Sequence, residues 1–297
     1  MAWLWDIAHG RTTVTESIAG REVTQEGLLA DGGFAYVYRG SDARTGEQLA
    51  IRRVLLQDSE SLQKAHTEIA LLKRLSPHPH VVRFFGAEVR SGAAAGAGLG
   101  GPAPPGSSQA VQLFELCTGG TLQKALHEAP HQQSAPLGLP QRLAAGLDVA
   151  FALEYIHSRN IVHRDVKAAN VLLTEPIGST EAGQARMPPV KLGDLGLARF
   201  LAASTTIMTS GVGTITYMAP EVMSGEDYGM PADVFSLAIL LHEAASQQVP
   251  YGSMDNPRLA VEILGGRRPL KQALPAGSVG EELFELLAAS WCEQPEE

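Results

Sequence analysis

The run His163-Arg164-Asp165-Val166-Lys167-Ala168-Ala169-Asn170 lies between a helical apolar pattern, Pro140 to His157, and the short apolar run Val171-Leu172-Leu173. Helical spacing before it and a β-branched run after it make it a loop that joins a helix to a strand. Asp165 offers a carboxylate, Lys167 a cation two residues on, and Asn170 an amide oxygen five residues on. A second short apolar run, Val190-Lys191-Leu192, precedes Asp194-Leu195-Gly196, where the glycine permits a backbone turn beside another carboxylate. A lone Asp or Asn after a strand is ordinarily a turn residue. Several in this order and spacing are not explained by turns. Amide and carboxylate oxygens suit Mg2+, and a carboxylate that orients an attacking hydroxyl beside a metal bridge is what phosphoryl transfer requires.

Outward from this loop the chain changes character. From Val23 to about Leu116 it consists of short alternating or β-branched runs broken by turn residues, such as Ala35 to Gly40 and Gln48 to Val54. One helix interrupts them, about Ser61 to Leu75, with Leu62, Ala65, Ile69, Leu72 and Leu75 at helical spacing and Pro77 ending it. From Leu122 onward helical patterns dominate, notably Pro140 to His157 and Ala232 to Ala245. A sheet-rich first third followed by a helix-rich remainder predicts an α+β, bilobal layout. The expected division is an N-terminal extension over 1–22, a small lobe over 23–116 and a larger lobe over 117–297. Gly, Ala, Pro and Ser make up almost all of 91–109 and more than half of Pro176 to Pro189, so both are expected to be surface insertions.

The bulk properties narrow the function classes. A length of 297 residues suffices for two lobes that each bury a core. A net charge of −9 argues against a broad electrostatic grip on nucleic acid or anionic membrane. Cys117 and Cys292 are the only cysteines, too few for a disulfide framework or structural zinc, and both read as packing residues of a reducing compartment. Met1 to Arg11 lacks the layout of a signal peptide, and no apolar run approaches the roughly 18 residues that span a bilayer. A soluble, cytoplasmic protein is expected.

These residues resemble the signature set of eukaryotic protein kinases, serine/threonine type. His163 to Asn170 is similar to the HRDxKxxN catalytic loop, Asp194-Leu195-Gly196 to DFG with Leu for Phe, and Met218-Ala219-Pro220-Glu221 to the end of the activation segment. Asp233-Val234-Phe235-Ser236 resembles the start of the buried helix that anchors the catalytic loop. The resemblance implies a bilobal kinase fold acting on ATP, Mg2+ and a protein Ser/Thr hydroxyl. Asp165 would be the base, Lys167 would contact the transferring phosphate, and Asn170 and Asp194 would hold Mg2+. Lys167, with Gly213-Thr214-Ile215-Thr216-Tyr217, looks like the serine/threonine version of the site. Arg164 resembles the arginine that grips a phosphorylated activation loop, with Ser204, Thr205, Thr206, Thr209 and Ser210 as acceptors for an upstream kinase. Glu115 to Cys117 would be the hinge to adenine, behind it Phe114. Val37, Ala50 and Leu172 would sandwich the base, and Leu72, Phe84, His163 and Leu195 would form the apolar stack of the active state.

The first lobe departs from the family pattern. Where GxGxxGxV is expected the chain has Ala30-Asp31-Gly32-Gly33-Phe34-Ala35-Tyr36-Val37, with Ala30 and Ala35 at glycine positions. Alanine there costs roughly 1–2 kcal/mol if positive φ is required. This loop, with His78-Pro79-His80-Val81-Val82, is similar to numb-associated kinases, whereas the second lobe looks closer to the tyrosine-kinase-like group. The expected VAIK motif reads Leu49-Ala50-Ile51-Arg52, so Arg52 stands for the lysine that binds the α- and β-phosphates and pairs with a helix glutamate, here Glu68. A planar guanidinium does not reproduce an ammonium point charge, and losing one preorganised donor costs about 10²–10³ in rate. The alternative expectation is a pseudokinase that binds nucleotide or partners without turnover. The segment Ser290 to Glu297 resembles the stretch before the arginine that pairs with the APE glutamate, which predicts an orphaned Glu221 and a truncated fragment.

Overall fold

The computed structural model describes residues 13–31, 35–75, 77–91, 108–128, 137–179, 185–200, 215–225 and 229–291. They fall into two compact units, Met1–His78 with Val82–Cys117, and Pro79–Val81 with Thr118–Glu297.

In the first unit, β1 (Val14–Ile18), β2 (Arg21–Asp31), β3 (Ala35–Asp42), β4 (Gln48–Leu56), β5 (Phe84–Ser91) and β6 (Ser108–Glu115) form one antiparallel sheet ordered β1-β2-β3-β4-β6-β5. Alternation sorts its faces: on β4, Leu49, Ile51 and Arg53 are buried while Ala50, Arg52 and Val54 are half-buried. Ile18, Val23, Tyr38, Leu49, Ile51, Val111 and Leu113 build the core beneath, each large side chain contributing about 1.5–3 kcal/mol by burial. Helix α1 (Ser59–Arg74) starts at a capping box, Asp58 accepting from the Ser61 N–H at 2.7 Å while Ser61 Oγ accepts from the Asp58 N–H. Leu75 and Pro77 end it, as its sequence predicts.

The fully buried Arg53 decides how the sheet closes. An isolated buried cation is prohibitively costly, and here Nε donates to Gln25 Oε1 (2.8 Å), Nη1 to Gln109 Oε1 (3.1 Å) and Nη2 to Glu16. Burial still holds the guanidinium below its ordinary pKa. Glu16 also pairs with Arg90, and the Ala19 N–H reaches Glu88 Oε2 at 2.9 Å. The outer strands β1 and β5 are thereby drawn together and the sheet curls. Part of the stretch assigned to an N-terminal extension thus supplies an edge strand and the counter-charge of the core. The proposed 91–109 insertion needs a correction: Ser91 ends β5 and Ser108 and Gln109 open β6, with Ser91 paired to Ser108. Gln109 is polar because it solvates Arg53, not because it lies in a loop.

The second unit is mainly helical: α2 (Leu122–His127), α3 (Leu139–His157), α4 (Pro220–Met223), α5 (Met230–Ser246), α6 (Asn256–Leu264) and α7 (Ser278–Ser290). Between α3 and α4 run β7 (Ile161–Val162), β8 (Val171–Leu173), β9 (Gly178–Ser179), β10 (Ala185–Arg186), β11 (Val190–Leu192) and β12 (Arg199–Phe200), paired β7 with β12, β8 with β11 and β9 with β10. The Pro176 to Pro189 insertion therefore carries a short hairpin. Helices α3 and α5 are antiparallel: Arg142 Nη1 donates to the Ala244 and Ala245 carbonyls (2.5 and 2.8 Å) at one end, and His157 meets Asp233 at the other. Arg142 thereby satisfies carbonyls that a helix C-terminus leaves without partners. Gly146 permits the close approach, since a Cβ there would strike Leu241. Glu221, on α4, is half-buried and has an interaction partner, so the expected orphaned carboxylate does not arise. Among the described residues no helix is long and apolar enough to cross a membrane.

Candidate active site

The loop after β7 is built around Asp233. This carboxylate, wholly buried at the start of α5, accepts from the backbone N–H of His163 (2.8 Å) and of Arg164 (2.9 Å) and contacts His157 Nε2 (2.8 Å). Arg164 is held at φ 71°, a left-handed conformation that a non-glycine residue adopts only when its surroundings enforce it. His163 is also buried: its Nδ1 accepts from the Asp165 N–H at 3.3 Å, so Nε2 carries the proton donated to the Gly193 carbonyl at 3.0 Å. The imidazole thus ties the Asp165 backbone to the residue before Asp194.

On this frame the polar side chains converge. Lys167 Nζ lies 2.9 and 2.7 Å from the two oxygens of Asp165. Asn170 Nδ2 donates to the Asp165 carbonyl and to Asp165 Oδ2, both at 2.8 Å. Both amide hydrogens of Asn170 are spent on Asp165, which leaves Oδ1 as the atom able to ligate a cation. Asn170 also accepts the Gly193 N–H at 2.9 Å through its backbone carbonyl. Asp194 is exposed, at φ 53°, with a carboxylate oxygen 3.4 Å from the Gly196 N–H. Amide and carboxylate oxygens are the hard donors that Mg2+ or another divalent cation takes, so the residues present fit such an ion.

In the first unit, Val37, Ala50 and Arg52 share one sheet face, because Val37 is the register partner of Arg52 and Ala50 is two residues away. Arg52 Nη1 donates to Glu68 Oε1 at 2.6 Å and to Gln112 Oε1 at 2.8 Å. The expected pairing with Glu68 is present. Ala30 and Ala35 lie in β2 and β3 and neither has positive φ, so the conformational cost expected of alanine at those positions does not arise. The Glu115 N–H is taken by the Arg83 carbonyl (3.0 Å) and its Oε1 by the Arg83 N–H (2.5 Å), while Cys117 is half-buried beyond. Phe114 packs on Phe84 with ring centroids 5.5 Å apart. Leu172, in β8, pairs with Lys191. Gly32, Gly33, Ser204, Thr205, Thr206, Thr209, Ser210, Gly213, Thr214 and Cys292 lie outside the described residues.

The protein kinase domain model matches residues 23–296. This chain belongs to the protein kinase domain family. A probable serine/threonine-protein kinase of Dictyostelium discoideum is 29% identical over 293 residues, covering 98% of this chain and 19% of that protein. The serine/threonine-protein kinase STY46 of Arabidopsis thaliana is 29% identical over 263 residues (89% of this chain, 40% of that protein), and CTR1 of the same plant 29% over 271 (90% and 29%). The chain spans about a fifth to two fifths of the length of these relatives.

Two residues that sequence reasoning missed, Glu243 and His127, join Tyr217 and Ser236 in a buried cluster. Tyr217 donates its hydroxyl to the buried Glu243, which contacts His127 Nε2 at 2.8 Å, and Ser236 Oγ donates to the Tyr217 carbonyl at 2.7 Å. Burial and the Glu243 charge hold the Tyr217 hydroxyl far above the usual tyrosine range. This cluster anchors the backbone just before Met218-Ala219-Pro220-Glu221. Its carboxylate sits on the same helix as Asp233, where helical spacing alone reads as core. Gln112 was missed because only strand register brings it opposite Arg52.

Proposed function

We propose that this kinase domain transfers the γ-phosphoryl group of ATP to serine or threonine hydroxyls of protein substrates, with Mg2+ as the divalent cation and the cytoplasm as its compartment. The observation that carries the reading is the Asp165 carboxylate, held by Asn170 Nδ2 and faced by Lys167 Nζ at 2.7 Å. Asp165 orients the substrate hydroxyl and accepts its proton as the oxygen attacks. Lys167 moves its charge from Asp165 onto the transferring phosphoryl oxygens, which lowers the cost of charge spreading over them. Asn170 Oδ1 and Asp194 hold the cation, which when bound screens the phosphate oxygens from one another. Arg52, oriented by Glu68, contacts the α- and β-phosphates, Val37, Ala50 and Leu172 face the adenine, and Glu115 and Cys117 give it backbone groups.

A second reading, a nucleotide-holding module without turnover, is favoured by Arg52 at the lysine position. Transfer of labelled phosphate from Mg-ATP to a generic protein substrate, with D165N as control, separates the two. The kinase reading expects transfer at least about 10²-fold above the control. Transfer equal to the control, in protein that still binds ADP, would establish the second reading instead.

A further inference from the structure

Arg52 is pinned by one nitrogen. Its Nη1 serves both Glu68 Oε1 (2.6 Å) and Gln112 Oε1 (2.8 Å), and among the described residues neither Nε nor Nη2 has an acceptor. Two acceptors on one nitrogen fix the plane of the guanidinium as well as its position. The opposite edge, Nε–H and Nη2–H, is then a fork of parallel donors, the geometry that suits two phosphate oxygens. The Arg52 side chain is 25% exposed, and neither Nε nor Nη2 is among the buried side-chain nitrogens that lack a partner, so this edge reaches solvent. Gln112 is fully buried, directly opposite Arg52 in the β4–β6 register, and its Nε2 has no partner. A buried glutamine that leaves its own donor unsatisfied is costly unless its oxygen has a task. It is also neutral: with a carboxylate at 112, the guanidinium would face two negative charges and be overcompensated.

We infer that Gln112 is a positioning residue that fits arginine to the phosphate-binding role at position 52, so that the Nε–Nη2 edge of Arg52 grips two oxygens of a nucleoside di- or triphosphate. This rests on the proposed nucleotide binding. An ammonium has no plane to fix, so a lysine at 52 would draw no such benefit from Gln112. The pair Arg52–Gln112 is a single device.

The test is calorimetric titration of ADP and of adenosine, with Mg2+, into wild type, Q112M, Q112E, R52K and R52K/Q112M. Methionine keeps the length and volume of glutamine and removes a donor that has no partner, so Q112M retains the fold. Q112M should weaken ADP about tenfold, the value of one charge-assisted hydrogen bond, and leave adenosine unchanged. Q112E, which keeps the acceptor but adds charge, should also lose ADP selectively. On the R52K background Q112M should have no further effect. An unchanged ratio of ADP to adenosine affinity in Q112M, or an equal loss on the R52K background, would overturn the inference alone. Absence of ADP binding by the wild type would overturn the nucleotide reading itself.

Discussion

Replacing Asp233 by asparagine tests whether the catalytic loop is held from beneath by one buried carboxylate. Oδ2 serves the His163 N–H and His157 Nε2 at 2.8 Å each, and Oδ1 serves the Arg164 N–H at 2.9 Å. Asparagine keeps one oxygen. If that oxygen takes the Oδ2 position, the amide NH2 faces the Arg164 N–H, so one charge-assisted bond is lost and donor confronts donor. Orphaned buried donors cost about 1–3 kcal/mol each, which sums to about 2–4 kcal/mol after partial solvation of Arg164. For 297 residues unfolding together, an unfolding entropy of about 0.6 kcal/mol/K makes the expected fall in Tm about 3–6 °C. Release of Arg164 from φ 71° should also let the loop carrying Asp165 relax, and a shift of about 1 Å lowers phosphoryl transfer about 10²-fold. Circular dichroism melts and amide exchange at Arg164 are the measurements. A Tm within about 2 °C of wild type, with Arg164 protection unchanged, would refute the brace.

Three further outcomes are expected. E16Q should destabilise the first unit by about 3 kcal/mol, the lower end for breaking a buried pair, because Gln25 and Gln109 still solvate Arg53; urea unfolding of wild type and variant gives the difference. Burial holds His242 below the ordinary histidine value, with Nε2 bonded to the Leu270 carbonyl (3.0 Å) and Nδ1 buried without an acceptor. Its folded pKa is depressed, so its stabilisation is full above about 6.5 and is lost as pH falls through the folded value; unfolding free energies at pH 7.5, 6.5 and 5.5 should fall more steeply in wild type than in H242Q. G119A places a methyl against the Glu175 carbonyl and 2.5 Å from Leu173 Cβ, where backbone must shift, and a loss of about 1–3 kcal/mol should appear in thermal melts.

The active site was legible where its contacts are local. Asp165, Lys167 and Asn170 fall within six positions, so backbone geometry alone brings them together once a helix and a strand flank the loop. The termination of α1 near Pro77 was legible for the same reason, whereas its start at Ser59 and its Asp58 cap lie just outside the span that apolar spacing marks. What the sequence obscured lies where polar residues serve distant partners. Ser108 and Gln109 have loop composition, yet Gln109 is in a strand because Arg53 needs its oxygen. Ala30 and Ala35 raised a conformational question that only backbone φ answers.

By itself the sequence determined the α+β layout and the order of the catalytic residues, because periodicity says which face a residue takes and short spacing says what it meets; the pairing of Arg52 with Glu68 was implied by the resemblance to protein kinases. Tertiary structure alone decided who stands opposite whom. Gln112 is 60 positions from Arg52 and Glu16 is 37 from Arg53. Sheet register joins the first pair and the curl of the sheet joins the second. Register is a property of the folded chain: sliding one strand by a residue would change every partner while leaving the sequence pattern intact.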